Sequence, residues 1–282
     1  MPLLFLALAS ASLVVIHLAL SHPLRTPLVR WLGERGFLLL YSAVALAAIW
    51  WMAQAFRAAP AGDLGGASGS AGWIVASGLT IPASVLFLGS LRGNPALPTV
   101  SASRLGNQML TGVFRVTRHP MMWSFALWAV AHLALLWSWR TTIVAIAVLI
   151  LALAGAAGQD RRKRRALPGW QDWENQTPFW PRWSAMLSAG WLLWAAAIVA
   201  WLAITWAHIP LGGVPAGLWS WWTASWRPQA GRCASDPEPG QWVASTQVWA
   251  SAPSAAVRPT LPPLPPNCAL GRTAPCPRSA AR

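Results

Sequence analysis

Acidic residues are scarce in this sequence of 282 residues, which holds 7 Asp and Glu against 21 Lys and Arg. Charged residues make up only 10% of the chain, compared with about 25% in soluble domains. No acidic residue falls within a long apolar run, so catalysis by a pair of buried carboxylates, as in glycosidases, is unsupported. The sequence also lacks a Walker phosphate loop and a His-Glu-x-x-His zinc motif.

Cysteine is nearly absent as well. The three cysteines, Cys233, Cys268 and Cys276, all lie in the C-terminal part of the chain, and none belongs to a Cys-x-x-Cys pair. This pattern excludes a thiolate metal site and a dithiol redox motif.

Apolar residues dominate what is present, at 55% of the chain with a mean hydropathy of +0.44. They are gathered in runs of about the length that a helix needs to cross a bilayer. The sequence therefore predicts an all-α membrane protein, a six-helix transmembrane bundle. The predicted spans are 3–20, 37–56, 73–91, 120–139, 141–157 and 185–206.

The composition changes near residue 218. Residues 218–282 are rich in Pro, Ala, Ser and Arg and show no sustained apolar period, which is typical of disordered segments. We therefore predict a transmembrane domain over 1–217 and a disordered C-terminal tail over 218–282, without a function of its own.

The net charge of +14 does not indicate nucleic acid, because many basic residues lie in short connections between apolar runs. The connections after the first, third and fifth spans are the more basic ones, and such loops favour the cytoplasm. We expect the lipid bilayer to be the main partner and the N-terminus to face the periplasm of a bacterium.

Two histidines fall within predicted spans, His17 and His132. A neutral imidazole in an apolar bundle is a good axial ligand for haem iron, whereas the alternative role is a hydrogen bond that holds helices together. His132 lies about 20 Å along its helix from His119, and His17 lies only one turn from its helix end. His17 and His132 therefore lie at different depths in the membrane. His119 with His17 is an alternative pair of iron ligands.

Basic residues flank the start of the fourth span. Arg115 and Arg118 lie at the helix mouth, and Arg25 lies on the first loop, so all three are candidates to pair with haem propionates. His119 is a candidate to bind a cofactor carboxylate or phosphate at the helix N-terminus, or else a cap and topology anchor.

At these residues the chain resembles the NnrU family of bacterial inner-membrane proteins. The matching stretches are HLALSHPLR at 17–25, LGERG at 32–36, RHPMMW at 118–123, WAVAH at 128–132 and DRRKR at 160–164. The resemblance implies a link to nitrite and nitric oxide metabolism in denitrification. The family is similar to zeta-carotene isomerases, which implies haem b bound by His17 and His132, and a hydrophobic small molecule as substrate. Ala129 stands where the isomerases have a cysteine.

A second resemblance is to membrane isoprenylcysteine-type methyltransferases, which bind S-adenosylmethionine. It rests on Arg118-His119-Pro120 and on the later Gly-x-x-x-Trp and Pro-Phe-Trp-Pro stretch within 169–181. Asp160, Trp170 and Trp173 replace the Glu and tyrosines of that signature. A non-enzymatic membrane scaffold is the third alternative.

Overall fold

The chain is mostly helical in the computed structural model, which describes residues 1–61, 64, 66–67, 69–95, 110–212 and 214–225. Two short antiparallel strands and two 3-10 turns join the helices. The elements are α1 (Pro2–Ser21), α2 (Arg25–Ala58), β1 (Gly66–Ala67), α3 (Gly69–Ser90), a first 3-10 turn (Gly112–Arg115), α4 (Pro120–Leu135), β2 (Leu136–Trp137), α5 (Trp139–Ala166), α6 (Trp170–Gln176), a second 3-10 turn (Trp183–Ala189), α7 (Trp191–Gly212) and α8 (Leu218–Ser225).

Five of these helices are long and apolar enough to cross a membrane, namely α1, α2, α3, α5 and α7. The chain is therefore a multi-pass membrane protein. The predicted fourth span, 120–139, is a shorter apolar helix that begins at Pro120 and ends at Leu135. Its 16 residues rise about 24 Å, less than the roughly 30 Å of the hydrocarbon core.

The early end of α4 has a local cause. Leu136 and Trp137 are extended and pair with Ala67 and Gly66 as an antiparallel ladder. Ser138 then caps α5, because its side chain accepts the backbone N–H of Thr141 at 3.2 Å. An N-cap residue of this kind starts a new helix instead of continuing the old one.

Two glycines mark other helix boundaries. Gly33 has φ +71 and interrupts α2, so the helical segment before it is set off from the membrane-crossing part. Gly190 has φ +85 and separates the second 3-10 turn from α7. The last span consequently begins at Trp191, six residues after the predicted start at 185. Both backbones lie in the region that glycine adopts most readily.

Helix packing follows a simple order of neighbours. α1 packs against α2 and α5, α5 packs against α4, and α3 packs against both α4 and α7. α5 therefore lies between α1 and α4, the two helices that carry His17 and His132.

The beginning of the predicted tail is ordered. α8 covers Leu218–Ser225, and Trp219 Nε1 donates to Leu202 O and Thr205 Oγ1 on α7, each at 3.2 Å. The predicted boundary at 217 thus falls directly before α8. Residues 226–282 of the predicted tail lie outside the described residues.

The main buried cluster lies where α3, α4 and α7 meet the two 3-10 turns and α6. Its largest members include Leu86, Phe114, Trp170 and Trp173. Gly89 permits this contact, because a Cβ there would lie 2.9 Å from Leu193 Cδ2 and would overlap Val113.

Candidate functional site

The last turns of α5 bring several predicted site residues to one end of the bundle. Asp160 contacts Arg118 and His119 at the start of α4, and the His22 ring, just beyond the end of α1, lies against Gly158. We call this end, which also contains the start of α2, the basic end.

A buried ion network forms the centre of the basic end. Arg118 donates to Asp160 Oδ2 from Nε at 3.0 Å and from Nη2 at 2.9 Å. His119 Nε2 lies 2.8 Å from Asp160 Oδ1, so this nitrogen carries the donated proton. All three residues are at least 91% buried, and each charge therefore depends on its partners for the stabilisation that water would otherwise give.

A connecting segment after α6 closes the network. Arg118 donates to Thr177 O from Nη1 and to Pro178 O from its backbone N–H, both at 2.9 Å. Phe179 O accepts from Thr117 Oγ1 at 2.8 Å and from Trp123 Nε1 at 2.9 Å. The structure thereby joins the Arg-His-Pro stretch to the Pro-Phe-Trp-Pro stretch, 56–62 residues apart in the chain.

The His119 side chain is positioned by a neighbouring aromatic ring and by its place at the start of α4. The Phe179 ring meets its imidazole edge-on, with centroids 5.5 Å apart. Its Nδ1 is buried without a hydrogen-bond partner among the described residues. Because Pro120 opens α4 and His119 is the N-cap, the side chain is fixed beside the positive end of a helix dipole.

His17 is engaged by a neighbouring helix near the basic end. The Tyr41 hydroxyl lies 2.5 Å from His17 Nε2 and 3.2 Å from Ser21 Oγ. Since Ser21 is the last residue of α1, His17 lies about one turn, roughly 6 Å, from that end.

His132 lies at the opposite end, in the last turn of α4. Its Nδ1 donates to the carbonyl of Trp128 at 2.8 Å, and the Trp128 ring stacks on it with centroids 4.0 Å apart. A carbonyl can only accept, so the neutral ring keeps the Nε2 lone pair available.

His208, near the end of α7, has the same arrangement. Its Nδ1 donates to Ile204 O at 2.8 Å, which again leaves Nε2 as the acceptor. His132 and His208 both lie near the ends of their helices. Their helices, α7 and α4, both pack against α3.

The predicted haem can be tested against these positions. A haem clamped between His17 and His132 does not fit, because the two imidazoles lie at opposite ends of the bundle and α5 separates their helices. His132 and His208 each donate Nδ1–H to a carbonyl, as metal-binding histidines typically do with their other N–H. The described residues contain no group of three or more His, Cys, Asp or Glu arranged to hold a metal ion.

The predicted propionate partners are also dispersed. Arg118 is committed to Asp160, and Arg25 pairs with Glu34 at 2.5 Å. Arg115 is exposed and donates to Leu110 O at 2.9 Å. Within the described part of the chain, Arg118 and His119 are the members of the predicted set that contact a common residue, Asp160.

Comparison with models of protein families shows which family the chain belongs to. The model of the family described as NnrU protein matches residues 5–216. The chain belongs to the NnrU family. No curated protein and no solved structure matches this chain.

The sequence pattern did not predict one site residue of this NnrU protein, Asp160. A run of five basic residues follows Asp160 and is typical of a solvated surface, yet Asp160 is only 4% exposed and Lys163 only 6%. The Lys163 ammonium lies 5.8 Å from the centroid of the Trp170 ring, a cation–π contact. Asp160 is therefore not a surface charge. It is the counterion of Arg118 at the start of α4.

A neutral histidine borders the network in this NnrU protein. Burial lowers the pKa of His22, and the nearby Arg162 lowers it further. Gly158 leaves room for its ring, because a Cβ there would overlap the imidazole. Neither ring nitrogen has a well-formed hydrogen bond within the described part of the chain.

Proposed function

We propose that this NnrU protein binds haem b through His132 and serves nitrite and nitric oxide metabolism in the bacterial inner membrane. The observation that carries the proposal is the His132 hydrogen bond to Trp128 O. It fixes the ring and leaves Nε2 free to ligate iron.

His208 is the second ligand in this proposal, in place of His17. Both rings have the same tautomer, fixed by a carbonyl one turn earlier. His17 Nε2 is already engaged by Tyr41, so it is less available to a metal. Bound haem would supply redox chemistry, and nitric oxide would have to displace His208 to bind the iron, because two histidine ligands leave no open position.

The link to nitrogen oxides rests on the family resemblance. The likeness of that family to zeta-carotene isomerases extends the proposal to a hydrophobic small molecule as substrate, reached from the lipid. On a positive-inside orientation, the basic end faces the cytoplasm, and the haem end and the N-terminus face the periplasm.

The absorption spectrum of the purified protein tests haem binding. After haem-replete expression, we expect a Soret band that disappears in His132→Ala and shifts in His208→Ala, because an axial ligand is lost. His17→Ala is the matched control and should keep the band of the unaltered protein. Addition of nitric oxide to the reduced protein should shift the band.

Two results would contradict the haem proposal. One is the absence of a Soret band in the unaltered protein. The other is a band that survives His132→Ala unchanged, which would place the haem elsewhere.

A second candidate function is methyl transfer from S-adenosylmethionine at the basic end. It is favoured by the hydrogen bonds that join residues 117–123 to the segment around Phe179, since these are the two parts of the methyltransferase resemblance. This function predicts saturable S-adenosylmethionine binding that His119→Ala weakens and Arg115→Ala, at an exposed position, leaves intact. Unsaturable binding would remove this candidate.

A further inference from the structure

The short helix α8 packs against the second half of α7 instead of lying beyond its end. Trp219 Nε1 donates to Leu202 O and to Thr205 Oγ1, each at 3.2 Å. α7 ends at Gly212, so these two acceptors lie about 10–15 Å back along the helix. The chain therefore reverses after Gly212 and returns along α7 before α8 begins at Leu218.

A hydrogen bond between α7 and α3 shows how deep this contact lies. Trp201 Nε1 donates to Thr80 Oγ1 at 2.9 Å. Both helices have 22 residues and are long and apolar enough to cross a membrane, and each rises about 33 Å, close to the roughly 30 Å of the hydrocarbon core. Trp201 and Thr80 each lie at the middle of their helix. The two helices thus independently place this level near the bilayer midplane.

The turn before α8 is suited to a site without water. Pro215 has no N–H that would need a partner there. Gly217 has φ +57, and a Cβ on it would lie 2.8 Å from the Trp201 ring, so glycine lets the backbone approach α7 this closely. Ala216 and Gly217 are buried. Irregular backbone is tolerated at membrane depth where it is buried in protein, and this part of the turn meets that condition.

The outward side chains of α8 are apolar. Leu218 is 51% exposed and Trp222 is 68% exposed, and the two lie one helical turn apart, on the same face. The sequence of α8 contains no charged residue. An apolar side chain exposed at the level of Trp201 meets lipid acyl chains, because no water reaches that depth.

We propose that residues 214–225 form a re-entrant segment, in which Leu218 and Trp222 contact lipid acyl chains inside the bilayer. Trp219 and Gly217 fix this segment on α7, the first by its hydrogen bonds and the second by its contact with the Trp201 ring. The inference goes beyond haem binding, and it does not depend on which end of the bundle faces the periplasm.

Cysteine labelling tests the depth of α8. In a full chain whose three native cysteines are replaced by serine, Leu218→Cys should resist a membrane-impermeant maleimide added from either side. Leu211→Cys is the matched control, because Leu211 is 86% exposed at the end of α7. A thiol in hydrocarbon stays protonated and the thiolate is the form that reacts, so we expect Leu218→Cys to label at least about tenfold more slowly than the control.

A spin label separates lipid contact from burial in protein. Leu218→Cys is labelled with a nitroxide in detergent and returned to lipid vesicles. We expect molecular oxygen, which concentrates in hydrocarbon, to relax the nitroxide more than a water-soluble nickel chelate does. The order should be reversed in Leu211→Cys.

A pair of glycine variants tests the contact that fixes α8. Gly217→Ala adds a Cβ that overlaps the Trp201 ring, so it should displace α8 and speed maleimide labelling of Leu218→Cys. Gly212→Ala is the matched control, because a Cβ there meets nothing within 4 Å, and it should leave labelling unchanged.

Three outcomes would overturn the proposal. Equal labelling of Leu218→Cys and Leu211→Cys would place α8 at the membrane surface. Weak relaxation of the Leu218→Cys nitroxide by both oxygen and nickel would place this residue inside protein. Equal effects of Gly217→Ala and Gly212→Ala would contradict the contact with Trp201. A missing Soret band would leave the proposal untouched, because the segment contains neither haem ligand.

Discussion

Asp160 is the residue on which the basic end depends most. It accepts two hydrogen bonds from Arg118 and one from His119. Removal of one partner from a buried ion pair leaves an uncompensated charge and costs about 3–5 kcal/mol. We therefore expect Asp160→Ala to lower the midpoint of thermal unfolding in detergent sharply.

Asp172→Ala is the control for that experiment. Asp172 is exposed on α6, and its removal changes the net charge by the same amount. Equal midpoints for Asp160→Ala and Asp172→Ala would mean that the buried network contributes nothing to stability.

The role of Asp160 could not be predicted from the sequence. It begins a run of five basic residues, a pattern that is typical of a solvated surface, and its partners lie 41 and 42 residues away. The helix start at Pro120 was predictable, because proline fixes φ and suits the first helical turn. The different depths of His17 and His132 were also predictable, because counting residues from the helix ends places the two imidazoles at different levels.

At the scale of elements, the contact among α3, the first 3-10 turn and α7 depends on Gly89. A Cβ at this position would meet Val113 and Leu193, and such overpacking costs about 1–3 kcal/mol. We expect Gly89→Ala to lower stability, as measured by thermal unfolding in detergent. Gly78→Ala lies on the same helix with open space around it, so it gains the same helix propensity and should not destabilise. Similar behaviour of both variants would contradict the packing assignment.

Long helices were more predictable than their ends. Apolar length alone predicts α1, α3 and α5, because a helix satisfies its own backbone in lipid. The end of α4 was not predictable, because it depends on a two-residue ladder with β1. Two residues, here Leu136 and Trp137, are too few to show the alternating pattern of a strand. The start of α7 depends on the backbone conformation of Gly190. The mean hydropathy of a segment gives no information about the conformation of one residue.

At the scale of the whole molecule, the distribution of charge predicts one orientation. Arg165 lies at the basic end and Arg57 in the last turn of α2, and both are exposed. After replacement of the three native cysteines by serine, Arg57→Cys should react with a membrane-impermeant maleimide in cells with a permeable outer membrane. Arg165→Cys should react only after the inner membrane is opened. The reverse pattern would invert the topology.

The sequence did not predict which helices pack against one another. Chain order and short loops predict that α4 and α5 are neighbours, but not that α5 also packs against α1. This arrangement depends on small residues at α5, such as Gly158, which admit the His22 ring.

The hydrogen bonds of Arg118 have a consequence for the time course of synthesis. Its partners Asp160, Thr177 and Pro178 all follow it in the chain, and Arg182 N–H bonds Val116 O. At about 5–20 residues per second, the counterion Asp160 leaves the ribosome roughly 2–8 s after residue 118. During that interval α4 begins with an arginine that has no counterion, so the nascent protein depends on the head-group region or the insertion machinery to solvate it. Truncation before residue 177 should therefore yield a chain that cells degrade rapidly.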